Sequence, residues 1–212
     1  MNKKYELVEN DTKIYALRKL YRIKSLISFS CNGYLIIEGD LGGYIEKEDN
    51  LSQDGNCWIF SDSVVFDNAR INDNAIIKGH SVVQDNAKVF GNALIKDSNL
   101  YDYAMVRDAK LIDNIVDSNA TISCIAVIGA CYFSKNAKIR SLNDYINIRL
   151  EGGSVTFYRN IKNKIGITYC FPSELEFFGG LNKFKKFIES NKKSIDYNRA
   201  KSLIDFAESR LK

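Results

Sequence analysis

From Cys57 onward the chain repeats itself every six residues, and a period that short leaves few folds open. The units read CWIFSD, SVVFDN, ARINDN, AIIKGH, SVVQDN, AKVFGN and ALIKDS, each with a small residue followed two positions later by Ile or Val. Beyond Ser98 the period survives if some units hold five residues, giving SNLYDY, AMVRD, AKLID, NIVDSN, ATISCI, AVIGA, CYFSKN and AKIRSL. An amphipathic helix would need apolar residues at three-and-four spacing, and a β-sandwich would need regular hairpin turns; residues 57–142 supply neither. Side chains alternate across a short strand, so the small residue and the aliphatic one both face inward. The small one sits at a crowded corner where a larger side chain would overpack.

Fifteen units grouped in threes predict a parallel β-helix of five coils with three inward columns. The first column is Cys57/Ile59, Ala75/Ile77, Ala93/Ile95, Ala109/Leu111 and Ala126/Ile128. The second is Ser63/Val65, Ser81/Val83, Ser98/Leu100, Asn114/Val116 and Cys131/Phe133. The third is Ala69/Ile71, Ala87/Val89, Ala104/Val106, Ala120/Ile122 and Ala137/Ile139. At a strand spacing of about 4.8 Å the prism stands roughly 20–25 Å tall. Asn68, Asn86, Asn119 and Asn136 recur along one edge, where a left-handed turn residue is expected.

Strand edges at the two ends need covers. Residues 1–56 are expected to form an N-terminal β cap, with two or three strands over 12–38 and a turn at Asn32-Gly33. Residues 57–150 form the β-helix, with Tyr145–Leu150 as one more strand. Residues 151–212 read as a ββαα module: a hairpin around Lys162-Asn163-Lys164, a helix capped by Ser173 after Pro172 and running through LEFFGGLNKFKKFIES, and a last helix capped by Ser194. Leu203, Phe206 and Leu211 mark that helix's core face.

The outward positions carry the information about partners, because the repeat does not dictate them. Trp58, Phe60, Ile76, Leu94, Ile112 and Val127 line the first face, and Val64, Phe66, Val82, Ile115 and Tyr132 the second. Such columns are too apolar for open solvent and should be covered by the caps or a second subunit. Trp58, Phe60, Ile76, Leu94, Val64, Phe66 and Val82 are therefore the expected homo-oligomer interface, with a trimer the favoured arrangement. The third face shows Arg70, Lys88, Arg107, Lys138 and Arg140, a solvent-facing surface for an anionic ligand or partner. With few aromatics among them, specific nucleic-acid binding is not expected.

The net charge of +4 reflects a Lys/Arg surplus in the last fifty residues. Five cysteines, Cys31, Cys57, Cys124, Cys131 and Cys170, show no CxxC spacing and are expected reduced and structural. The beginning of the chain has no apolar signal segment and no run is long enough to span a membrane, so the expected location is the cytoplasm. No Gly-rich phosphate loop or metal-ligand cluster stands out, and no cofactor is expected.

The units resemble the left-handed β-helix superfamily of bacterial acyltransferases and γ-class carbonic anhydrases; the left hand is implied by that resemblance. The stretch Gly42-Gly43-Tyr44-Ile45-Glu46 through Asn50-Leu51-Ser52-Gln53-Asp54-Gly55-Asn56-Cys57-Trp58-Ile59 is similar to a signature that joins GG[WY] to a following LSQ-x-G-[ND]-CW. That signature belongs to uncharacterised hexapeptide-repeat proteins of enterobacteria and prophages, often named as acyltransferases. The C-terminal TFYRN and CF elements resemble the tail of phage-borne members. A γ-class carbonic anhydrase needs three zinc-binding histidines, and this chain has a single one, His80. Two functions follow from the resemblance. One is a non-enzymatic oligomeric binding protein of phage or prophage origin that inhibits or sequesters a bacterial defence component, a protein complex or a nucleotide signal. The other is a CoA-dependent acyltransferase with His80 as general base and acyl-CoA as co-substrate.

Overall fold

The computed structural model describes residues 3–123, 126–128, 131–134, 136–150, 153–170, 176–191 and 197–211. The repeat winds into parallel strands of two or three residues that stack as three faces. The first face holds Trp58–Ile59, Ile76–Lys78, Leu94–Lys96, Lys110–Ile112 and Ala126–Ile128. The second holds Val64–Val65, Val82–Val83, Asn99–Leu100, Ile115–Val116 and Tyr132–Phe133. The third holds Arg70–Ile71, Lys88–Phe90, Met105–Arg107, Thr121–Ser123 and Lys138–Ile139.

Register follows the expected columns closely. Ile71, Val89, Val106, Ile122 and Ile139 stack on the third face, and Val65, Val83, Leu100, Val116 and Phe133 on the second. All are buried, as are Ala69, Ala87, Ala104, Ala120 and Ala137 at the corners. One register differs, because Leu111 lies beside Val127 and Ile112 beside Ile128. The shortening of that coil therefore falls ahead of Ala126, where the repeat count had put it after.

The corners also correct the sequence reading. The left-handed residues along the asparagine edge are Asp67, Asp85, Asp102 and Ser118, so Asn68, Asn86 and Asn119 follow the turn residue; only Asn136 has the expected conformation. Aspartate does a second job where a coil is one residue short. In full-length turns the N–H of the sixth residue donates to the fifth carbonyl of the next coil, as Asn56 does to Asp73 and Asn74 to Gly91. Where the next turn is shorter, an Asp carboxylate supplies the acceptor: Asn92 N–H donates to Asp108 Oδ1 at 2.8 Å, and His80 N–H to Asp97 Oδ1 at 2.9 Å. The carboxylates need space beneath them. A Cβ on Gly79 would stand 2.1 Å from Asp97 Oδ1, and one on Gly91 2.2 Å from Asp108 Oδ1.

The His80 N–H bond holds the Asp97 carboxyl below its ordinary range. Stability from a depressed carboxyl is present above the unfolded value of 3.8 and fades as pH falls through the folded one. Asp97→Ala should cost about 1 kcal/mol, a loss of roughly 2–4 °C in Tm. Asp97→Asn keeps an acceptor and should lose less. Thermal melts at pH 7 and pH 3 test this, since the gap between wild type and Asp97→Ala should narrow at the lower pH.

Coil winding starts before Cys57. Strand β5 (Leu41–Ile45) pairs in parallel with the second face, Tyr44 beside Val64 and Ile45 beside Val65, and Leu51 bridges to Ile71 on the third. Two hairpins precede it in the chain. Strands β1 (Tyr5–Tyr15) and β2 (Arg18–Ser25) extend the second-face sheet antiparallel to β5. Strands β3 (Phe29–Cys31) and β4 (Tyr34–Ile36) turn at Asn32-Gly33, both left-handed, as expected.

The C-terminal module is larger than a hairpin and two helices. Tyr145–Leu150 leaves the coils and pairs antiparallel with Gly153–Arg159, which pairs with Ile165–Cys170 and that with Glu176–Gly180. Within the segment expected to open a helix, Glu176–Gly180 is strand, because its backbone completes this sheet. Helix α1 spans Leu181–Ser190 and helix α2 Tyr197–Arg210. The proposed caps Ser173 and Ser194 lie outside the described residues. Val155, Phe157, Ile167 and Tyr169 pack on Phe184, Ile188, Ile204 and Leu211. Leu203 joins that core in part, while Phe206 is 49% exposed and does not serve it.

Candidate functional site

The apolar outer columns are covered by the chain itself. Phe29 of β3 meets Trp58 edge-on at 5.7 Å between ring centres, and Tyr34 of β4 meets Phe60 at 5.4 Å. Ile76 is buried in the same cluster, and Leu94 packs against it. On the second face Tyr15 meets Phe66 at 5.7 Å, and Leu20 and Tyr44 close over Val64 and Val82. Arg18 fastens the hairpin end to Asp67 at 2.5 Å and Glu46 at 3.4 Å. Trp58, Ile76, Val64, Phe66 and Val82 are buried in a single chain, Phe60 and Leu94 partly so. They are not a free subunit interface, which corrects the expectation; among the outer residues whose side chains are described, Ile115 stays open at 38% exposure. Val127 lies outside the residues whose side chains are described.

The signature stretch is a seal. Gln53 Oε1 accepts from the N–H groups of Lys4 and Tyr5, and Gln53 Nε2 donates to the Tyr5 carbonyl. The Tyr5 ring is fully buried at the N-terminal end of the core, its hydroxyl donating to the Leu51 carbonyl at 2.6 Å and approaching that of Glu48 at 3.0 Å. Lys4 Nζ, also buried, reaches the carbonyls of Gly55 and Cys57 and the Cys57 thiol. Gly42 and Gly43 lie against Ile59 and Ser63 too closely for a Cβ. These residues need a packing explanation only.

The third face is the bare one. Arg70, Lys88, Arg107, Lys138 and Arg140 are all exposed. Arg70 and Lys88 share one outer row with Met105, Thr121 and Lys138; Phe90, Arg107 and Ser123 share the next. Arg107 is engaged with Asp108 at 3.1 Å and lies over Phe90. Among the described residues Arg70, Lys88, Lys138 and Arg140 make no ion pair. A shallow cleft of about 500 Å³ runs from Lys88 and Phe90 to Asn72 and Gly55.

His80 stands exposed on the edge between the first and second faces, bound through its backbone to Asp97. Strand register aligns Asp97 with Gly79, since Lys96 lies beside Lys78, so His80 has no counterpart in the coil above. Neither cleft described here is lined by its imidazole. Cys31 and Cys57 are free thiols and buried, and Cys131 is buried as well. Burial pushes the Cys31 thiol up to about 11 and raises that of Cys57 despite the neighbouring Lys4, which suits packing better than reactivity. Cys124 and the Cys170 side chain lie outside the described residues. Among the described residues no group of three or more His, Cys, Asp or Glu could hold a metal ion, and no helix is long and apolar enough to cross a membrane.

Sequence reasoning missed a second cationic region. A cleft of about 790 Å³ in the C-terminal module is lined by Arg159, Lys164 and Lys183 with Asn160, Asn163 and Asn182. It opens at the start of α1, whose N-cap, Gly180, has no capping side chain. The basic surplus of the last fifty residues was its trace in the sequence. In comparisons with known proteins, no family model matches the chain and no curated protein matches it.

Proposed function

We propose that this chain is a non-enzymatic binding protein that presents the third face of its solenoid to an acidic protein surface. The observation that carries this is the contrast between faces. The apolar columns of the early coils are consumed by the chain's own hairpins, while Arg70, Lys88, Lys138 and Arg140 project unpaired from a flat, rigid ladder. Unpaired cations at fixed spacing favour association with carboxylates and speed encounter with them.

Protein is preferred over nucleic acid because acidic corners rim the same face. Asp67, Asp85 and Asp102 stand along one edge and Asp73 and Asp108 along the other. A continuous phosphate backbone would meet these carboxylates, whereas separate acidic side chains can avoid them. The likeness of the Gly42–Trp58 stretch to prophage proteins supports a partner in a host bacterium, among its defence components, and that step rests on the likeness alone. The acyltransferase alternative receives less support, since His80 is exposed on an edge and lines neither of the two clefts described.

Fluorescence anisotropy with labelled poly-L-glutamate tests the reading. Wild type should bind in a salt-dependent manner, and the triple variant Arg70→Glu, Lys88→Glu, Lys138→Glu should bind about tenfold or more weakly, while His80→Ala binds as wild type. Equal binding by the triple variant, or tighter binding of wild type to a single-stranded oligonucleotide of matched charge, would overturn it.

A further inference from the structure

Among the described residues, three buried side-chain oxygens lack a hydrogen-bond partner, and all three belong to the seam between the last coils and the C-terminal sheet. They are Asp117 Oδ1, Tyr158 OH and Thr168 Oγ1. Their convergence follows from the topology. Asp117 ends the second-face strand Ile115–Val116, and its other oxygen accepts from Tyr132 in the coil above. The Tyr132 N–H in turn donates to Thr156 Oγ1 on the module sheet at 3.2 Å. Thr156 lies directly across from Thr168, and Tyr158 across from Gly166, so Thr168 and Tyr158 are diagonal neighbours on one face. That face looks at the coils, since the Tyr158 ring meets Phe133 at 6.1 Å.

The environment of Tyr158 agrees with this placement. Burial pushes its hydroxyl up to about 12, with Thr168 and the Ser134 backbone easing the shift and the Asp117 charge adding to it. Thr168 and the Ser134 backbone are thus both near neighbours of the hydroxyl, and neither meets full hydrogen-bond geometry with it. Tyr158 and Thr168 are each only 1% exposed. A buried oxygen without a partner forfeits its hydration for nothing in return, so three at one seam would be a heavy load for a docking surface.

We infer that a single ordered water molecule binds at this seam, donating to Asp117 Oδ1 and accepting from the hydroxyls of Tyr158 and Thr168. The chemistry suits water better than a metal ion. One carboxylate oxygen and two hydroxyls match the three or so bonds of a buried water, whereas a hard cation takes six or more oxygens. The water is then a shared rivet between solenoid and module.

The test turns on a sign. Tyr158→Phe and Thr168→Val each remove one hydroxyl and little volume. If water bridges the three groups, each variant strands a partner of that water and lowers Tm by several degrees, and a crystal structure at high resolution shows density within hydrogen-bond distance of all three oxygens. If the hydroxyls are simply unpaired, removing either raises Tm, and that result overturns the proposal. Melts in sodium, potassium and tetramethylammonium chloride at equal ionic strength address the remaining occupant. Equal Tm supports water, and a Tm that follows the cation would replace water by a metal ion and overturn it.

Discussion

Tyr5→Ala is expected to lower the melting temperature by about 10 °C or more and to loosen the N-terminal hairpins. The ring closes the end of the hydrophobic column, packed in one cluster with Leu51, Cys57 and Ile59. Deleting a buried aromatic costs about 3–5 kcal/mol, which in a chain of this size is roughly 2–4 °C for each kcal/mol. Tyr5→Phe separates packing from polarity. It keeps the ring but leaves the Leu51 carbonyl without its donor, at about 1–2 kcal/mol. The two losses can be told apart by pH. Burial, with Glu48 nearby, raises the Tyr5 hydroxyl well above its ordinary value of 10.0. Its contribution is therefore complete below pH 10 and lost as pH climbs toward the folded value. The gap between wild type and Tyr5→Phe should narrow in alkaline melts. A variant that melts like wild type at pH 7 would show that Tyr5 does not seal the core.

Gly43→Ala should be nearly as severe, because its obstacles include backbone. The added Cβ would lie 2.4 Å from Ile59 Cγ2 and 2.6 Å from the Ser63 carbonyl, and relieving both means moving β5 off the coil it pairs with. Overpacking of this kind costs about 1–3 kcal/mol and sometimes more; the upper end is expected here, with a Tm loss of roughly 6–12 °C. Gly39→Ala is the matched control. Gly39 has φ +92° but open space around it, so only backbone strain of about 1 kcal/mol applies. Parallel melts of the two variants decide the point, and equal losses would refute steric contact as the cause.

The interior was legible in the sequence because it obeys a local rule. Each aliphatic residue two positions after a small one faces inward whatever the rest of the chain does, so Val89 or Ile122 could be placed without tertiary knowledge. What covers the outside was not legible. Trp58 and Phe66 announce that they need a cover, but hairpin and second subunit satisfy that need equally, and the choice depends on Phe29, Tyr34 and Tyr15 meeting them through long-range folding. Residues 176–180 show the same limit from the other side. Helical spacing there was real, yet the open edge of Ile165–Cys170 took the segment as a strand. At the corners, asparagine was the right residue type for the wrong position, since a turn shifted by one residue leaves the same letters in view. The basic third face was legible as a column, while the cleft beside α1 required residues from both module hairpin and helix.

The Asp–Gly couples at the shortened turns carry a further meaning. In a flat sheet, losing one residue turns every later side chain to the opposite face. Here a turn that has lost a residue is mended where the loss occurred, by a carboxylate reaching into the space above a glycine, as Asp97 does over Gly79 and Asp108 over Gly91. The prism thus tolerates single-residue deletions at its edges, one coil at a time, provided two substitutions accompany them. Lineages of such a protein can drift out of six-residue phase while their cross-section stays constant, and a template of fixed period would lose step with them just where aspartate first appears over glycine.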